Sequence, residues 1–86
     1  MNDFTFTKDA FAQYMYWQTQ DKKTLKKIND LLEDIRRNGA LQGIGKPESL
    51  KSHPGYSRRI DKENRLVYII DALQNIKVIS CRGHYE

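Results

Sequence analysis

The stretch from Asp21 to Gly39 carries the strongest structural signal in the sequence. Its apolar residues recur at helical spacing: Leu25, Ile28, Leu31, Leu32 and Ile35. Asp21 is suited to cap the start of this helix, and Gly39 to end it. The other face carries lysines, which the simplest interpretation leaves solvated: Lys22, Lys23, Lys26 and Lys27. Because a helix with one apolar face has to bury that face, the rest of the chain must supply a second layer.

Strand-like segments on both sides of this helix predict that second layer. Near the start, "DFTFT" alternates Phe4 and Phe6 with polar residues, which is the period of a half-buried strand. The loop "NGALQGIGKPESLKSHPG" is too long and irregular for a simple connector, and such loops tend to be functional or disordered. Three candidate strands follow it, "YSRRI", "RLVYIID" and "IKVISC", separated by the turns "DKEN" and "ALQN". Residues 56–82 therefore predict an antiparallel meander.

A shorter, aromatic helix is predicted before Asp21. Thr7 is its candidate N-cap, and Asp9 in the first turn suits the helix dipole. One side is predicted to bring together Phe11, either Tyr14 or Met15, and Gln18. The stripe is widened by further residues: Ala10, Tyr14 and Trp17. Aromatic stripes on helices are far more often core than platforms for stacking nucleic-acid bases, so we expect a core role here.

The predicted order of elements is strand, helix, helix and then sheet, which is an α+β fold. Because two helices can cover only one face of the sheet, the other face stays open. Ser57, Arg59 and Arg65 are expected to project from that open face and to make it concave and basic. With 86 residues, the chain is expected to form a single domain, residues 1–86, around one core.

Charge and cysteine content narrow the classes of function. The net charge is +4, and the excess lies in residues 44–86, which carry eight basic and five acidic groups. Concentrated positive charge favours a polyanionic or acidic partner. The single cysteine, Cys81, is expected to be a small buried apolar residue, and it excludes an internal disulfide and a cysteine-based zinc site. No apolar run suits a signal peptide or a membrane span, so a cytoplasmic location is expected.

The chain ends in "VISCRGHYE", which places a His and a Tyr where chain ends usually fray. Taken alone, His84 would most simply be an exposed imidazole, and Tyr85 a ring packed over the last strand. A second interpretation is that this ending belongs to a functional site. The chemistry of the other polar residues helps to decide between the two interpretations.

Cleaving RNA through its own 2′-hydroxyl requires a base for that hydroxyl, a cation for the phosphate and an acid for the departing 5′-oxygen. Glu48, Arg65 and His84 supply one group of each kind, on three separate segments. No metal or other cofactor is needed for this scheme. Each residue also has a simpler interpretation, Glu48 as a solvated loop carboxylate and Arg65 as an edge residue or an ion-pair partner of Asp61 or Glu63.

Nearly the whole chain, residues 4–85, resembles the YoeB (Txe) family of toxins in the RelE superfamily. The matching segments stand in the family's order: "YWQTQDKKTLKKINDLLEDIRR", "GIGKPESLK", "SRRI", "NRLVYII" and "CRGHY". The resemblance is specific because it combines the Lys-Pro-Glu loop, the Arg-Leu-Val-Tyr strand and the terminal His-Tyr. It implies a RelE-like fold and a ribosome-dependent mRNA endonuclease that a YefM (Phd) type antitoxin neutralises.

The resemblance also assigns roles to individual residues. The implied catalytic set has a base, a phosphate-binding cation, an acid and a residue that orders the site: Glu48, Arg65, His84 and Tyr85. Substrate binding is expected from four basic residues: Lys46, Lys51, Arg59 and Arg82. His53 lies outside both sets and is expected to be an ordinary loop residue.

The partners implied by the resemblance are mRNA, the 70S ribosome and the antitoxin. Operator DNA would be reached only through the antitoxin complex, a homodimer is left open, and neither a membrane nor a metal is implied. The competing hypothesis is a non-catalytic binder on the same scaffold, such as the ParE toxins or a ribosome-binding inhibitor. ParE-like proteins lack the terminal His-Tyr pair as a rule, and this chain has it.

Two positions depart from the family's pattern. Residue 83 is Gly, which predicts a looser backbone between Arg82 and His84, so that the acid becomes ordered only with substrate. Glu86 follows Tyr85, and its carboxylates are expected to favour the imidazolium form of His84, although exposed charges act weakly through water.

Overall fold

The computed structural model describes residues 3–84, which form two helices on one face of a five-stranded sheet. The elements in chain order are β1 (Phe4–Phe6), α1 (Lys8–Gln20), α2 (Lys22–Asn38), β2 (Glu48–Ser49), β3 (Tyr56–Arg59), β4 (Arg65–Ile70) and β5 (Ile76–Ser80). The predicted α+β order of strand, helix, helix and sheet is confirmed. Neither helix in the described range is long and apolar enough to cross a membrane.

The sheet has the order β1-β5-β4-β3-β2. Its central part, β3, β4 and β5, is the predicted antiparallel meander. β1 adds to one edge, parallel to β5, with Phe4 opposite Ile76. β2 adds to the other edge, where Glu48 lies opposite Ser57. The sequence predicted only a loop at β2, because a strand of two residues is too short to display an alternating pattern.

The ends of both helices follow the predicted signals. Thr7 caps α1, and Asp21 caps α2 by accepting hydrogen bonds from the backbone N–H groups of Lys23 and Thr24. Hydrogen bonds from the side chain and backbone of Thr24 favour the carboxylate and lower the pKa of Asp21. Gly39, with φ of 92°, ends α2 in a conformation that suits glycine.

The apolar face of α2 lies at the centre of the core. It packs with side chains from the sheet, and the cluster includes Ile28, Leu31, Leu32, Ile35, Leu66, Tyr68, Ile76 and Val78. Ala10 and Trp17 of α1 are also buried, whereas Phe11 and Met15 are 54% and 45% exposed. The predicted core role was therefore wrong for Phe11 and for the alternative Met15, whereas it is confirmed for the residues that widen the stripe, Ala10, Tyr14 and Trp17.

Arg58 of β3 is completely buried between the sheet and α2. Its guanidinium pairs with the carboxylate of Asp34 and donates to the hydroxyl of Tyr68. The remaining donors bond to backbone carbonyls of the segment that follows α2: Gly39, Gln42 and Ile44. All five N–H groups of the guanidinium therefore have a partner. No pattern in the sequence predicted this buried charge.

Hydrogen bonding keeps Asp34 ionised beside this arginine. Burial alone raises the pKa of Asp34, but hydrogen bonds from Arg58, the Ile44 backbone and Asn38 outweigh it and hold that pKa below its usual value. A carboxyl whose pKa is lower in the folded state contributes stability above its unfolded-state pKa. That contribution is lost as the pH falls through the folded-state pKa, so the pair weakens only in acid.

Removing the carboxylate of Asp34 tests how much the ion pair with Arg58 contributes to the stability of the fold. Asp34→Ala leaves the charge of Arg58 buried without its partner, so we expect a loss of about 3–5 kcal/mol in the free energy of unfolding. Asp30→Ala is the matched control, because it removes an exposed ion pair with Lys26 and should cost less than about 1 kcal/mol. Urea unfolding followed by circular dichroism measures both. Equal losses in the two variants would contradict a special role for the buried pair.

Candidate functional site

The predicted site residues of β2, β3 and β4 share the face of the sheet opposite the helices. The strand register places Ser57 beside Glu48 on one side and beside Val67 on the other, and it places Arg59 beside Arg65. Ser57 and Val67 are buried, whereas Glu48 and Arg59 are exposed. Small buried residues therefore form the floor of this face, and charged side chains flank that floor.

The side chain of Arg65 is held on this face by two partners. Its Nε and Nη2 atoms donate to the hydroxyl oxygen of Ser57, at 3.3 and 3.2 Å. Nη2 also lies 3.6 Å from Oε1 of Glu48. The side chain of Arg65 is only 19% exposed and that of Glu48 is 65% exposed. Asp61, considered above as a partner of Arg65, instead accepts hydrogen bonds within its own turn.

Helix α1 holds the chain where it leaves β5. The indole N–H of Trp17 donates to the carbonyl of Cys81 at 2.9 Å, and the N–H of Cys81 donates to the side-chain oxygen of Gln13 at 2.7 Å. Cys81 is fully buried, as expected, and burial raises the pKa of its thiol to about 11. The segment that follows Cys81 therefore starts from a fixed point.

Arg82, which was predicted to bind substrate, lies over an aromatic ring of α1. The Cζ atom of its guanidinium is 3.8 Å from the centroid of the Tyr16 ring, a cation–π contact. Arg82 remains exposed to solvent in this position. Tyr16 is partly buried against the core and its ring contacts that of Trp17, so it offers a fixed surface to Arg82.

Gly83 is hydrogen-bonded through both of its backbone groups. Its N–H donates to Oδ1 of Asn64 at 2.7 Å, and its carbonyl accepts from the N–H of Arg65 at 3.1 Å. The prediction of a loose backbone at Gly83 was therefore wrong, because its N–H and its carbonyl both have a hydrogen-bond partner. The exposed residue His84 follows directly, so one backbone hydrogen bond joins Arg65 to the segment that carries the predicted acid.

The other predicted residues lie around the short strand β2. Lys46 is exposed and has φ of 51°, in the turn that leads to Glu48. Lys51 and His53 lie in the exposed loop between β2 and β3, which confirms the loop position expected for His53. Among residues 3–84, no group of three or more His, Cys, Asp or Glu side chains could hold a metal ion. The predicted roles of Tyr85 and Glu86 concern residues outside the described range.

The sequence of the chain matches known toxins over nearly its whole length. The model of a family described as the YoeB-like toxin of bacterial type II toxin-antitoxin systems matches residues 6–85. Toxin YoeB from Synechocystis is 49% identical over an alignment of 83 positions, and the alignment covers 94% of this chain and 94% of that protein. The chain belongs to the YoeB family. It is thus a toxin of the type II toxin-antitoxin class.

Solved YoeB structures share the fold described above. A YoeB dimer from Staphylococcus aureus has a TM-score of 0.90, with 55% identity and 98% of each chain covered. The heterotetrameric YoeB-YefM toxin-antitoxin complex from the same organism also gives a TM-score of 0.90, with 55% identity and 99% of each chain covered. The RelE-like α+β fold predicted from the sequence is confirmed.

The buried thiol gives a test of how firmly this YoeB chain holds its last strand. Since Cys81 is fully buried with a raised pKa, we expect the native protein to react very slowly with a thiol reagent at about pH 8, and the unfolded protein to react fast. Trp17→Phe removes the N–H donor to the Cys81 carbonyl and should accelerate native-state labelling. Tyr16→Phe keeps a ring beneath Arg82 and is the control. Fast labelling of the unaltered native protein would contradict this arrangement.

Proposed function

We propose that this toxin is an endoribonuclease that cleaves mRNA in the decoding site of the ribosome and thereby inhibits translation. The observation that carries the proposal is that three segments come together around Arg65. Glu48 of β2 lies 3.6 Å from Arg65 of β4, and the backbone of Arg65 bonds to the residue that precedes His84. A carboxylate, a guanidinium and an imidazole are the three groups that RNA cleavage through the 2′-hydroxyl requires.

The proposed reaction is a transfer within the substrate. The carboxylate of Glu48 accepts the proton of the 2′-hydroxyl, and the 2′-oxygen attacks the adjacent phosphorus. The bond from phosphorus to the 5′-oxygen breaks, and the imidazolium of His84 donates a proton to that oxygen. The products are a 2′,3′-cyclic phosphate and a 5′-hydroxyl, and no metal takes part in the proposed steps. Tyr85 is proposed to order His84.

Arg65 is proposed to stabilise the negative charge that builds up on the phosphate. Its contacts with Ser57 fix one side of the guanidinium, so its direction is set before substrate binds. Because Glu48 is largely exposed, the 2′-hydroxyl can approach it from solvent. The side chain of Arg65, in contrast, is mostly shielded from water, which strengthens its interaction with a bound phosphate.

Further cations surround this centre and are proposed to bind the flanking backbone of the RNA. Arg59 lies beside Arg65 in the register, and Lys46 and Lys51 lie on either side of Glu48 in the chain. Arg82 is exposed over the ring of Tyr16 and remains accessible to a phosphate. Electrostatic contacts of this kind bind nucleic acid without selecting a sequence.

The relatives also indicate the partners. Because YoeB from Staphylococcus aureus forms a heterotetrameric complex with YefM, we propose that a YefM (Phd) type antitoxin neutralises this chain. Operator DNA would be bound only through that complex. The YoeB dimer from the same organism supports a homodimer here as well. Residues 1–86 are proposed to act as one RelE-like toxin domain, in the cytoplasm where ribosomes and mRNA are found.

Two substitutions test the proposed base and cation. Glu48→Gln removes a proton-transfer group and should slow cleavage of end-labelled mRNA on translating ribosomes by roughly 100- to 10,000-fold. Arg65→Ala removes the cation at the phosphate and should slow it by a comparable factor. Glu33→Gln and Arg37→Ala are the matched controls, because both residues are exposed on α2 and away from the open face.

The same assay separates the enzyme from a non-catalytic, ParE-like or ribosome-binding inhibitor. Discrete cuts in the labelled mRNA are expected of the enzyme, whereas arrest of translation without cuts would favour the inhibitor. Cleavage at the unaltered rate by Glu48→Gln or by Arg65→Ala would remove that residue from the mechanism.

Deleting residues 84–86 tests the role of the chain ending. The deletion removes the proposed proton donor, while the core contacts of Cys81 are kept. We expect cleavage of mRNA and growth arrest to be nearly abolished, with a change of only about 0.5 kcal/mol in the free energy of unfolding. His53→Ala, an exposed loop histidine outside the site, should cleave normally. A truncated protein that still cuts mRNA would show that the ending is not catalytic.

A further inference from the structure

We propose that Asn64 is a positioning residue, whose side-chain amide fixes the segment carrying His84 beside Arg65. This inference rests on the function proposed above and deepens it, because it concerns how the proposed acid is held. Asn64 lies in the turn between β3 and β4, immediately before Arg65. From the sequence alone, that turn is predicted only as a connection between two strands.

Both polar groups of the Asn64 side-chain amide are hydrogen-bonded, the NH₂ group as a donor and the oxygen as an acceptor. The Nδ2 group donates to the two carboxylate oxygens of Asp61, at 3.0 and 3.1 Å. The Oδ1 atom accepts the N–H of Gly83 at 2.7 Å. A flipped amide would set its NH₂ group against the N–H donor of Gly83 and its oxygen against a carboxylate. The orientation of the amide is therefore fixed by its two partners.

Asp61 is itself held firmly enough to support Asn64. Its Oδ1 atom accepts the backbone N–H groups of Glu63 and Asn64, both at 2.8 Å. Burial raises the pKa of Asp61, but these hydrogen bonds and the one from the Asn64 side chain outweigh it and lower the pKa overall. The carboxylate thus stays an acceptor at neutral pH, which is the form that the Asn64 amide requires.

Gly83 receives this contact in a conformation that favours glycine. Its φ is 78°, and a Cβ atom placed there would meet nothing within 4 Å. The backbone conformation, and not lack of space, is therefore what favours glycine at this position. Together with the bond from the N–H of Arg65, the contact from Asn64 fixes residue 83 at two points that come from consecutive residues.

Two hydrogen bonds on one residue constrain direction as well as position. With only the bond from Arg65, the backbone at Gly83 could pivot about that contact, and His84 would leave it in many directions. With the bond from Asn64 added, the peptide group before Gly83 is also oriented, so the chain enters His84 along a defined path. A proposed acid that is oriented before substrate arrives gives faster proton transfer than one that has to be ordered during the reaction.

The test compares Asn64→Ala with a turn asparagine that has no link to the site. Asn75 is that control, because its Oδ1 atom likewise accepts a distant backbone N–H, from Asp3 at 3.0 Å. In single-turnover cleavage of mRNA on ribosomes, we expect Asn64→Ala to lower the rate at saturating toxin by about 10- to 100-fold. The toxin concentration giving half-maximal rate should stay unchanged. Asn75→Ala should cleave at the unaltered rate.

Two further variants separate positioning from a general loss of structure. Asn64→Asp keeps an acceptor for the N–H of Gly83 but loses the donor to Asp61, so its rate should lie between those of the unaltered protein and Asn64→Ala. In protein that already carries His84→Ala, adding Asn64→Ala should cause no further loss. Hydrogen exchange measured by NMR should be slow at the Gly83 N–H in the unaltered protein and fast in Asn64→Ala.

Each result either supports this inference or overturns it. If His84→Ala abolishes cleavage while Asn64→Ala cleaves normally, the positioning role is overturned and the proposed function stands. If Asn64→Ala lowers the rate equally with and without His84, Asn64 does not act through His84, and the inference is again overturned. If His84→Ala itself cleaves normally, the acid assignment fails first, and the positioning role fails with it.

Discussion

The buried charge of Arg58 is the constraint on which the rest of the molecule depends. A guanidinium can lie inside a protein only if its charge is balanced and its donors are bonded, and here Asp34 and Tyr68 meet part of that need. The carbonyls of the segment after α2 meet the remainder, so this segment is held against the core although its large apolar side chains, Leu41 and Ile44, are half exposed. Since the same segment leads to Glu48, the position of the proposed base follows from the burial of an arginine.

The sequence predicted the features that depend on short-range patterns. Periodicity and capping residues are local properties, and they located α1, α2 and the three strands of the meander close to their observed bounds. The resemblance to YoeB toxins assigned Glu48 and Arg65 to one site, and the structure brings these two side chains together. The alternation of β3 correctly placed Ser57 and Arg59 on the open face, beside Arg65.

The features that were missed depend on contacts between distant parts of the chain. Arg58 and Arg59 are adjacent arginines on opposite faces of β3, and the packing of α2 against one face of the sheet is what buries Arg58 while Arg59 stays exposed. The contact between Asn64 and Gly83 joins residues 19 positions apart, and no sequence pattern around either residue predicts it. Phe11 and Met15 have apolar side chains typical of a core but are about half exposed, because the side of α1 that carries Ala10 and Trp17 is the one packed on the core.

The parallel pairing of β1 with β5 has a consequence for the order in which the molecule can assemble. Phe4 pairs with Ile76, and the hydroxyl of Thr7 reaches the carbonyl of Ile79, 72 positions further along. Closing so long a loop is slow, because its entropic cost is offset only when β1 and β5 are both present and pair. While the chain is being synthesised, its first strand therefore has no partner until β5 has been made, and Gly83 and His84 follow β5 by only a few residues. The topology of the chain thus delays completion of the sheet until almost all of the described residues have been made.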